Sequence, residues 1–288
     1  ILPIQRPPLR ITVLDVGQGL AVVVESTNRV LVYDSGPAYS TKFDAGSGVV
    51  TPYLRHRGYS TIHKLLISHE DNDHAGGYYG LLESINVKQS LLGAAFLQRH
   101  QKHEKSSLAY PNNETKEEVH QCDNSQNWSW HYWNPQLKIY EPIHFYVLMP
   151  DQNNPLFIYG NNGSCVLLIK WRDQQILLTG DIEKKAEKAL LAGYQFEPVT
   201  LLVAPHHGSK TSSSSTFVNR LKPSHVVFSA GHRHHFGHPH ASIVSRYRQI
   251  GSNLWNTAEH GGISFTWESN GQLQVGYARE RDAYLWWR

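Results

Sequence analysis

The segment 68–74 is the feature that most constrains this chain. It places His69, Asp71, Asp73 and His74 directly after a run of apolar residues, so that four potential metal ligands share one short loop. Imidazole and carboxylate ligands together suit borderline and hard divalent ions. The alternative is a solvated acidic loop with incidental histidines. The close spacing of these side chains, and the two glycines that follow them, favour a metal site at the end of a strand.

Two later segments also run from an apolar strand into an acid or a histidine. Residues 177–181 end in Asp181, and residues 201–208 carry His206 and His207. Asp181 alone is more typical of a turn or of a helix N-cap, where its side chain accepts from free backbone N–H groups. Its position between the two other segments favours the ligand interpretation. We therefore expect three strand ends to meet at one edge of a sheet.

Composition excludes some classes of protein. The 288 residues are 40% apolar, which is ample for a buried core. No run reaches the roughly 20 apolar residues that a membrane-spanning helix needs. The net charge of +3 is too small to indicate a nucleic-acid-binding protein by itself. The chain begins with Ile1 and has one methionine, Met149, so we expect a piece of a longer protein whose membrane segments lie elsewhere.

The two cysteines stand in different surroundings. Cys122 lies in a polar stretch, whereas Cys165 lies in an apolar run typical of a strand. This difference predicts no disulfide between them, and the pair does not indicate a redox compartment.

Hydrophobic periodicity predicts alternating strands and helices. Apolar or alternating runs at 11–15, 20–25 and 30–33 predict an N-terminal β-meander. The other predicted elements include helices near 49–57, 182–192 and 243–250 and a final hairpin that turns at 269–271. Two β-rich halves, each with helices, predict two sheets packed face to face with helices outside.

Residues 98–142 interrupt this pattern because they show no sustained period. We predict a single domain over 1–288 with a surface insertion at 98–142. Tryptophans that lie in this segment or at the C-terminal end are Trp128, Trp130, Trp133, Trp286 and Trp287. They are interpreted either as platforms that stack bases of a single strand or as packing and docking residues, and the second interpretation is favoured for most.

Seven short motifs occur along nearly the whole chain. They are Leu-Asp-Val-Gly-Gln-Gly at 14–19, Asp-Ser-Gly at 34–36, the segment 68–77, Asn-Asn-Gly-Ser at 161–164, Thr-Gly-Asp at 179–181, Pro-His-His-Gly-Ser at 205–209 and Gly-His-Pro at 237–239. In these motifs the chain resembles a metallo-β-lactamase fold domain, and within that superfamily the C-terminal domain of ComEC-type DNA-internalisation competence proteins. The resemblance implies an α/β fold that is a four-layer αββα sandwich.

The resemblance also implies a ligand set. His69 and Asp71 would hold one metal ion, Asp73 and His74 a second, and Asp181 would bridge the two. Asp71 stands where the superfamily loop carries its second histidine, so an oxygen ligand replaces a nitrogen. The implied cofactor is two divalent metal ions, and the oxygen-rich set makes Mn²⁺ as suitable as Zn²⁺.

Other motifs complete or weaken the implied site. His207 would finish the second metal site, with His206 as the alternative. The third superfamily motif normally supplies a histidine, whereas this chain has Asn162 and Ser164 there. We expect these two residues behind the ligands, and weaker metal binding at one site. Leu20 stands where the subfamily usually has aspartate, which would alter contacts around the metal or the substrate.

The implied chemistry is phosphodiester hydrolysis, for which two metal ions about 3.5–4 Å apart are suited. By the resemblance, Asp73 would also orient the attacking group, and His238 would contact the scissile phosphate or protonate the leaving oxygen. Asp34 would hold the loop or a ligand from behind. A turn-forming aspartate is an equal alternative for Asp34.

A polar segment follows the histidine turn. Its residues Ser209, Lys210 and Ser212 would either bind phosphate oxygens or form a flexible polar turn, and the sequence supports the two interpretations equally.

The resemblance implies a nuclease that degrades one DNA strand while the other passes through a membrane channel. Its partners would be DNA, that channel and other domains of the same full-length protein. The domain would belong to an inner-membrane protein and face the outside of that membrane. One alternative is a hydrolase of small phosphodiesters or esters with the same fold. Another is a catalytically weak module that binds DNA or docks on the channel.

Overall fold

The computed structural model describes residues 6–106, 117–151 and 157–279. The strands are β1 (Leu9–Val13), β2 (Val22–Ser26), β3 (Arg29–Tyr33), β4 (Thr61–Ile62), β5 (Lys64–Ile67), β6 (Asn86–Val87), β7 (Gln89–Leu92), β8 (Glu118–Gln121), β9 (Asn127–Asn134), β10 (Ile139–Met149), β11 (Val166–Trp171), β12 (Gln174–Leu178), β13 (Leu201–Val203), β14 (His225–Phe228), β15 (Asn253–Asn256), β16 (Ile263–Trp267) and β17 (Leu273–Tyr277). The helices are α1 (Thr51–His56), α2 (Asn72–Ala75), α3 (Tyr78–Ser84), α4 (Ala94–Ser106), α5 (Lys184–Gly193), α6 (Ser215–Leu221), α7 (Ala241–Gln249) and α8 (Thr257–His260).

Most strands belong to two large sheets. The eight-stranded sheet has the order β17-β16-β1-β2-β3-β5-β7-β8, and the seven-stranded sheet has the order β15-β14-β13-β12-β11-β10-β9. The predicted meander is confirmed, because β1, β2 and β3 pair antiparallel. The predicted final hairpin is also confirmed as β16 and β17. Strands β4 and β6 form a small separate pair.

Burial explains why these strands form a sandwich. Val22 and Val24 point into one cluster with Phe145 and Leu167, which belong to the other sheet. The intervening residue Val23 faces the opposite way, into a cluster with residues of α1, α3 and α4. A third cluster joins the outer face of the seven-stranded sheet to α5, α6 and α7. The fold is therefore the predicted αββα metallo-β-lactamase sandwich, with two buried interfaces outside the central one.

Parallel pairing brings chain segments to common edges. In the first sheet, β5 runs parallel to β3 and to β7. In the second sheet, β12, β13 and β14 are mutually parallel. Parallel strands place their carboxyl ends at the same edge of a sheet, where binding residues collect. None of the helices in the described ranges is long and apolar enough to cross a membrane.

The segment predicted as a surface insertion differs from that prediction. Its residues 118–121 form β8, which pairs with β7, and residues 127–134 form β9, which pairs with β10. Trp130 is buried and Trp128 stacks on Phe145, so both pack in the central core, whereas Trp133 is exposed. The alternation of aromatic and polar residues along β9 is a strand period that the sequence interpretation missed. Residues 107–116 of the segment, and also Trp286 and Trp287, lie outside the described residues.

The prediction about the cysteines is wrong. Cys122 follows β8 in one sheet and Cys165 precedes β11 in the other, and the two fully buried residues form a disulfide. Their separation of 43 residues hid this proximity, which arises only when the sheets pack face to face. The disulfide therefore links the two halves of the sandwich.

Candidate metal centre

Four strand ends deliver polar side chains to one end of the sandwich. In the eight-stranded sheet, Asp34 follows β3 and His69 lies two residues after β5. In the seven-stranded sheet, Asp181 follows β12 and His207 follows β13. Because each pair of strands is parallel, both sheets present these residues at the same kind of edge. The predicted convergence of strand ends is what the structure contains.

A group of four side chains converges at this edge. Within the described residues, Asp73, His74, Asp181 and His207 offer ligand atoms that all lie within 4.8 Å of one another. His74 Nε2 lies 3.1 Å from Asp181 Oδ1 and 3.1 Å from His207 Nε2. His207 Nε2 lies 3.2 Å from Asp73 Oδ2. We call these four residues the histidine–aspartate cluster.

Neighbouring groups fix both imidazole rings of the cluster. His74 Nδ1 lies 2.7 Å from a carboxylate oxygen of Asp34, and His207 Nδ1 lies 2.7 Å from the carbonyl oxygen of Ser229. Both partners are acceptors, so each Nδ1 carries the proton and donates. In the neutral rings, both Nε2 lone pairs then point into the cluster. Two lone pairs at this distance need a cation between or beside them.

The pKa values of the cluster residues also indicate that a cation is favoured there. Burial lowers the pKa of His74, but the carboxylates of Asp181 and Asp34 outweigh burial and raise that pKa well above its ordinary value. Burial raises the pKa of Asp73, but the hydrogen bond to His207 and the charge of His74 lower it to about 2. The same histidines lower the pKa of Asp181 against the effect of its burial. Positive charge at the centre of the cluster is therefore strongly favoured.

Among the buried side-chain atoms that lack hydrogen-bond partners in the described part of the chain, two belong to expected metal ligands. They are Nε2 of His69 and Oδ1 of Asp181. Leaving such atoms unpaired costs about 1–3 kcal/mol each, so native proteins rarely keep them without a purpose. Both atoms are good ligands for a divalent ion. The donor set of imidazole nitrogens and carboxylate oxygens thus fits a metal such as Zn²⁺ or Mn²⁺.

The comparisons with known proteins agree with the fold and the cluster. Residues 14–232 match the family model described as the metallo-beta-lactamase superfamily. The chain belongs to this superfamily. Over 256 residues it is 31% identical to the competence protein ComA of Neisseria gonorrhoeae, a match that covers 88% of this chain and 32% of that protein. It is 28% identical over 281 residues to recombination protein 2 of Haemophilus influenzae, covering 96% of this chain and 31% of that protein.

Solved structures show the same superfamily fold at low sequence identity. The metallo-beta-lactamase fold protein YhfI of Bacillus subtilis matches with a TM-score of 0.51 and 14% identity, covering 93% of this chain and all of that one. At this identity the likeness shows the fold alone. The chain spans about a third of the length of the two curated relatives.

Only two of the four ligands expected in the segment 68–74 belong to the cluster. Asp73 and His74 belong to the cluster, whereas His69 and Asp71 form a neighbouring pair, with His69 Nε2 3.6 Å from Asp71 Oδ2. Asp71 is exposed and His69 is buried. Asp181 has contacts with rings of the cluster through both carboxylate oxygens.

The histidine turn separates its two candidate ligands. His207 is buried in the cluster, in agreement with the preference for it in the sequence analysis. His206 is half-buried, with Nε2 3.7 Å from Asp181 Oδ2 and Nδ1 hydrogen-bonded to Thr211. Both histidines have positive φ values, 50° and 53°, and this tight turn points the two rings in different directions. His206 therefore borders the cluster from outside.

Residues of the third motif support the ligands from behind. The Ser164 hydroxyl accepts from the backbone N–H of Asp181 at 3.0 Å and lies 3.4 Å from His69 Nδ1. Asn162 accepts from the backbone N–H of Glu183 at 3.0 Å. Ser164 thus touches two expected ligands, whereas Asn162 holds the segment that follows Asp181.

Asp34 makes the contacts expected of a supporting residue. Its carboxylate accepts from the backbone N–H of Ser68 at 2.6 Å, from the Ser68 hydroxyl at 2.8 Å and from His74. It is completely buried. The turn alternative does not account for these contacts.

The residues expected to bind phosphate fall into two groups. Lys210 is exposed, and the Ser209 hydroxyl accepts from Thr211. The prediction for Ser212 is wrong, because its fully buried hydroxyl donates to the carbonyl oxygen of Pro205. Ser212 closes the histidine turn from inside. The alternative of a flexible polar turn fails for this residue as well.

His238 borders the cluster at its open side. Its ring is half-buried and lies 6.2 Å from the ring of His207 and 5.8 Å from that of His206, measured between centroids. Burial and the neighbouring histidines lower the pKa of His238 to about 4. The ring is therefore neutral near pH 7 and its nitrogens can donate and accept.

Three supporting residues escaped the sequence interpretation. Ser68 connects Asp34 to the loop, and Ser229 orients His207. Gly19 lies against the loop, where an added Cβ would come within 2.5 Å of the backbone oxygen of Asp73. The adjacent Leu20 donates its N–H to that oxygen at 3.0 Å, while its side chain is buried in the core. Ser68 and Gly19 stand in two of the motifs of the sequence, at 68–77 and 14–19, whereas Ser229 gave no signal.

Proposed function

We propose that this domain is a metal-dependent nuclease that hydrolyses phosphodiester bonds of DNA. Its superfamily fold is that of metal-dependent hydrolases, and its curated relatives include a competence protein and a recombination protein by name. The observation that carries the hydrolase part is the 3.1 Å approach of His74 Nε2 to His207 Nε2 beside two carboxylates. The DNA part rests on the relatives.

The residues that would hold the metal are those of the histidine–aspartate cluster, with His69 and Asp71 at its border. A divalent ion there supplies Lewis-acid activation of a phosphodiester and of an attacking water. Asp34 and the Ser229 carbonyl keep the two imidazoles in the tautomer that directs Nε2 inward.

The open side of the cluster supplies the contacts to substrate. Asp73 is 28% exposed at its side chain, so its carboxylate can also accept a hydrogen bond from an attacking water and orient it. His238 stands beside the cluster in its neutral form, where a ring nitrogen can donate to a phosphate oxygen. Lys210 is exposed near the histidine turn and can add positive charge toward the DNA backbone.

The names of the relatives support a proposal for the biological role. We propose that the domain degrades the strand that is not transported during DNA uptake, as part of a longer inner-membrane protein. It would then lie on the outer side of that membrane and work with the channel formed by other parts of that protein.

A second candidate is a DNA-binding or channel-docking module with weak catalysis. The observation that favours it is that His69 and Asp71 lie outside the group of four whose ligand atoms are all within 4.8 Å of one another, although the His69 ring lies 4.2 Å from that of His74. The third motif contributes the Ser164 hydroxyl near His69, which orients but is a poor metal ligand. A domain with one strong metal site would bind DNA with salt-dependent affinity and leave it intact.

Cleavage of end-labelled single- and double-stranded DNA tests the proposal. The purified domain is assayed with Mn²⁺, Zn²⁺, Mg²⁺ or EDTA, beside the variants Asp73→Ala and Asp15→Ala. Asp15 pairs with Arg279 outside the cluster and serves as the matched carboxylate control. We expect metal-dependent cleavage that Asp73→Ala abolishes and Asp15→Ala retains.

Other outcomes separate the candidates. Intact DNA together with hydrolysis of small chromogenic diesters would replace the nuclease by a small-phosphodiesterase. If neither DNA nor the diesters are hydrolysed, although metal is bound and the fold is retained, the domain would be the DNA-binding or channel-docking module.

A further inference from the structure

A groove of about 460 Å³ opens beside the histidine–aspartate cluster. Asp73 forms part of its lining, together with Gln18, Asn72 and the loop segments 37–39 and 234–236. These two loops come from different sheets of the sandwich and carry aromatic side chains that take no part in the cluster. The volume is typical of a site for an organic ligand.

One loop presents a pair of stacked aromatic rings. Tyr39 and Phe43 remain 48% and 52% exposed, although their ring centroids lie 5.2 Å apart and nearly parallel. The Tyr39 hydroxyl donates to the carbonyl oxygen of Val16 at 2.8 Å, and its backbone N–H donates to Phe43 O at 2.9 Å. The loop thus fixes the rings in place before any ligand arrives.

The other loop presents Phe236, which is 58% exposed. Phe236 lies in a turn in which the Gly237 N–H donates to the His234 carbonyl oxygen at 2.9 Å. The Phe236 ring stacks on His238 at 5.7 Å and 26°, and His238 stacks on His207 at 6.2 Å and 19°. A ladder of three rings therefore leads from the cluster to the solvent.

Exposed aromatic rings held in fixed positions are suited to flat ligands. Aromatic side chains contribute roughly 1–3 kcal/mol per nucleobase when they stack on a single strand. A duplex already stacks its bases on one another and offers an aromatic ring no free base face. The groove also borders the cluster, so a phosphate bound to a metal ion held there would place its bases within reach of the rings.

We propose that this groove binds unpaired bases of a single-stranded nucleic acid, with one base on Phe236 and another on Tyr39, whose ring packs against Phe43. This proposal rests on the proposed nuclease function. It limits the substrate of that nuclease to single-stranded DNA or to the unpaired end of a duplex. Because stacking uses a face that every base has, the groove selects for unpaired bases and carries little sequence preference.

The test is binding without cleavage. A fluorescently labelled oligothymidylate is titrated with the metal-free domain in EDTA, and binding is followed by fluorescence anisotropy. An abasic strand of equal length and a duplex serve as comparison ligands. The variants are Phe236→Ala, Tyr39→Ala, the conservative Phe236→Trp, and Trp133→Ala, which removes an exposed aromatic ring on β9 that does not line the groove.

We expect Phe236→Ala to weaken oligothymidylate binding about fivefold to about 150-fold, which corresponds to roughly 1–3 kcal/mol for one stacked base. Phe236→Trp should retain binding and Trp133→Ala should match the wild type. On the abasic strand, which keeps the phosphates, Phe236→Ala should cost less than twofold. Melting temperatures of the variants are measured to test whether misfolding causes any loss of binding.

Equal affinity of the wild type and both alanine variants for oligothymidylate would overturn the inference and assign the groove to another occupant. The inference also fails if the wild type binds the abasic strand or the duplex as tightly as oligothymidylate. These results are independent of the cleavage assay. A domain that stacks single strands in the groove yet never cuts them would disprove the nuclease proposal alone.

Discussion

His74 Nε2 and His207 Nε2 lie 3.1 Å apart, although His74 lies on α2 after a strand of the eight-stranded sheet and His207 follows a strand of the seven-stranded sheet. Each ring is oriented from its own sheet, His74 by Asp34 and His207 by the carbonyl of Ser229. The cluster thus depends on how the two halves of the sandwich pack. Changes behind the ligands should therefore act on metal affinity.

Asp34→Asn should weaken metal binding. The asparagine amide can donate to His74 Nδ1, which would move the ring proton to Nε2 and remove the lone pair that faces the cluster. Loss of such supporting contacts typically costs about 10–100-fold in metal affinity. Titration against a chromophoric chelator measures the effect, with Asp15→Asn as the control. Unchanged affinity in Asp34→Asn would show that the ring is held by other contacts.

Gly19→Ala should impair the centre while the fold is retained. The added Cβ would come within 2.5 Å of the Asp73 backbone oxygen, at a φ of 145° that side chains rarely adopt. Gly17→Ala is the matched control, since its φ of 67° is also positive but an added Cβ there has open space. We expect lower metal affinity and activity in Gly19→Ala, and near-normal values in Gly17→Ala at similar melting temperature. Equal losses in both variants would assign the effect to backbone strain.

Removal of the metal should make stability depend on pH. The raised pKa of His74 stabilises the metal-free fold fully below the ordinary value of 6.5, and this contribution is lost as the pH rises through the higher folded value. The pKa of Asp73, lowered to about 2, stabilises the fold above the ordinary value of 3.8, and this contribution is lost as the pH falls toward 2. The pKa of His238, lowered to about 4, acts in the opposite direction, because only the unfolded chain gains this proton as the pH falls below the ordinary value of 6.5. The metal-free domain should therefore melt highest near pH 6.5.

Metal addition should raise the melting temperature more at about pH 8 than at about pH 6, because binding must displace protons from the histidines. Thermal scans with and without metal measure this difference. An equal gain at both pH values would mean that the imidazoles are not ligands. His144, on β10 and hydrogen-bonded to Ser129, provides a histidine outside the cluster, so His144→Gln should leave the difference intact.

Loss of the disulfide should destabilise the sandwich without altering the ligands. Cys122→Ala with Cys165→Ala removes a link between the sheets across 43 residues, and such removals cost about 2–5 kcal/mol. Urea unfolding of the oxidised wild type, the reduced wild type and the double variant measures the free energy of unfolding. The two forms without the disulfide should agree with each other. A reduced wild type as stable as the oxidised protein would contradict the prediction.

The amino-acid sequence alone determined the main features of this protein. Apolar runs that end in His69, Asp181 or His207 predicted both the strands and their convergence, because strand ends of parallel pairs share an edge. The motifs then indicated the αββα sandwich. These signals are local, since each depends on residues a few positions apart along the chain.

Only the tertiary structure decided the rest, because those features join residues distant in sequence. Packing of the two sheets pairs Cys122 with Cys165, and it places β9 with its buried Trp130 in the central core. Burial assigns the hydroxyl of Ser212 to the backbone and separates His207 from His206. Composition and spacing do not encode which side of a strand or turn faces the cluster, and this direction is fixed when two sheets close on each other.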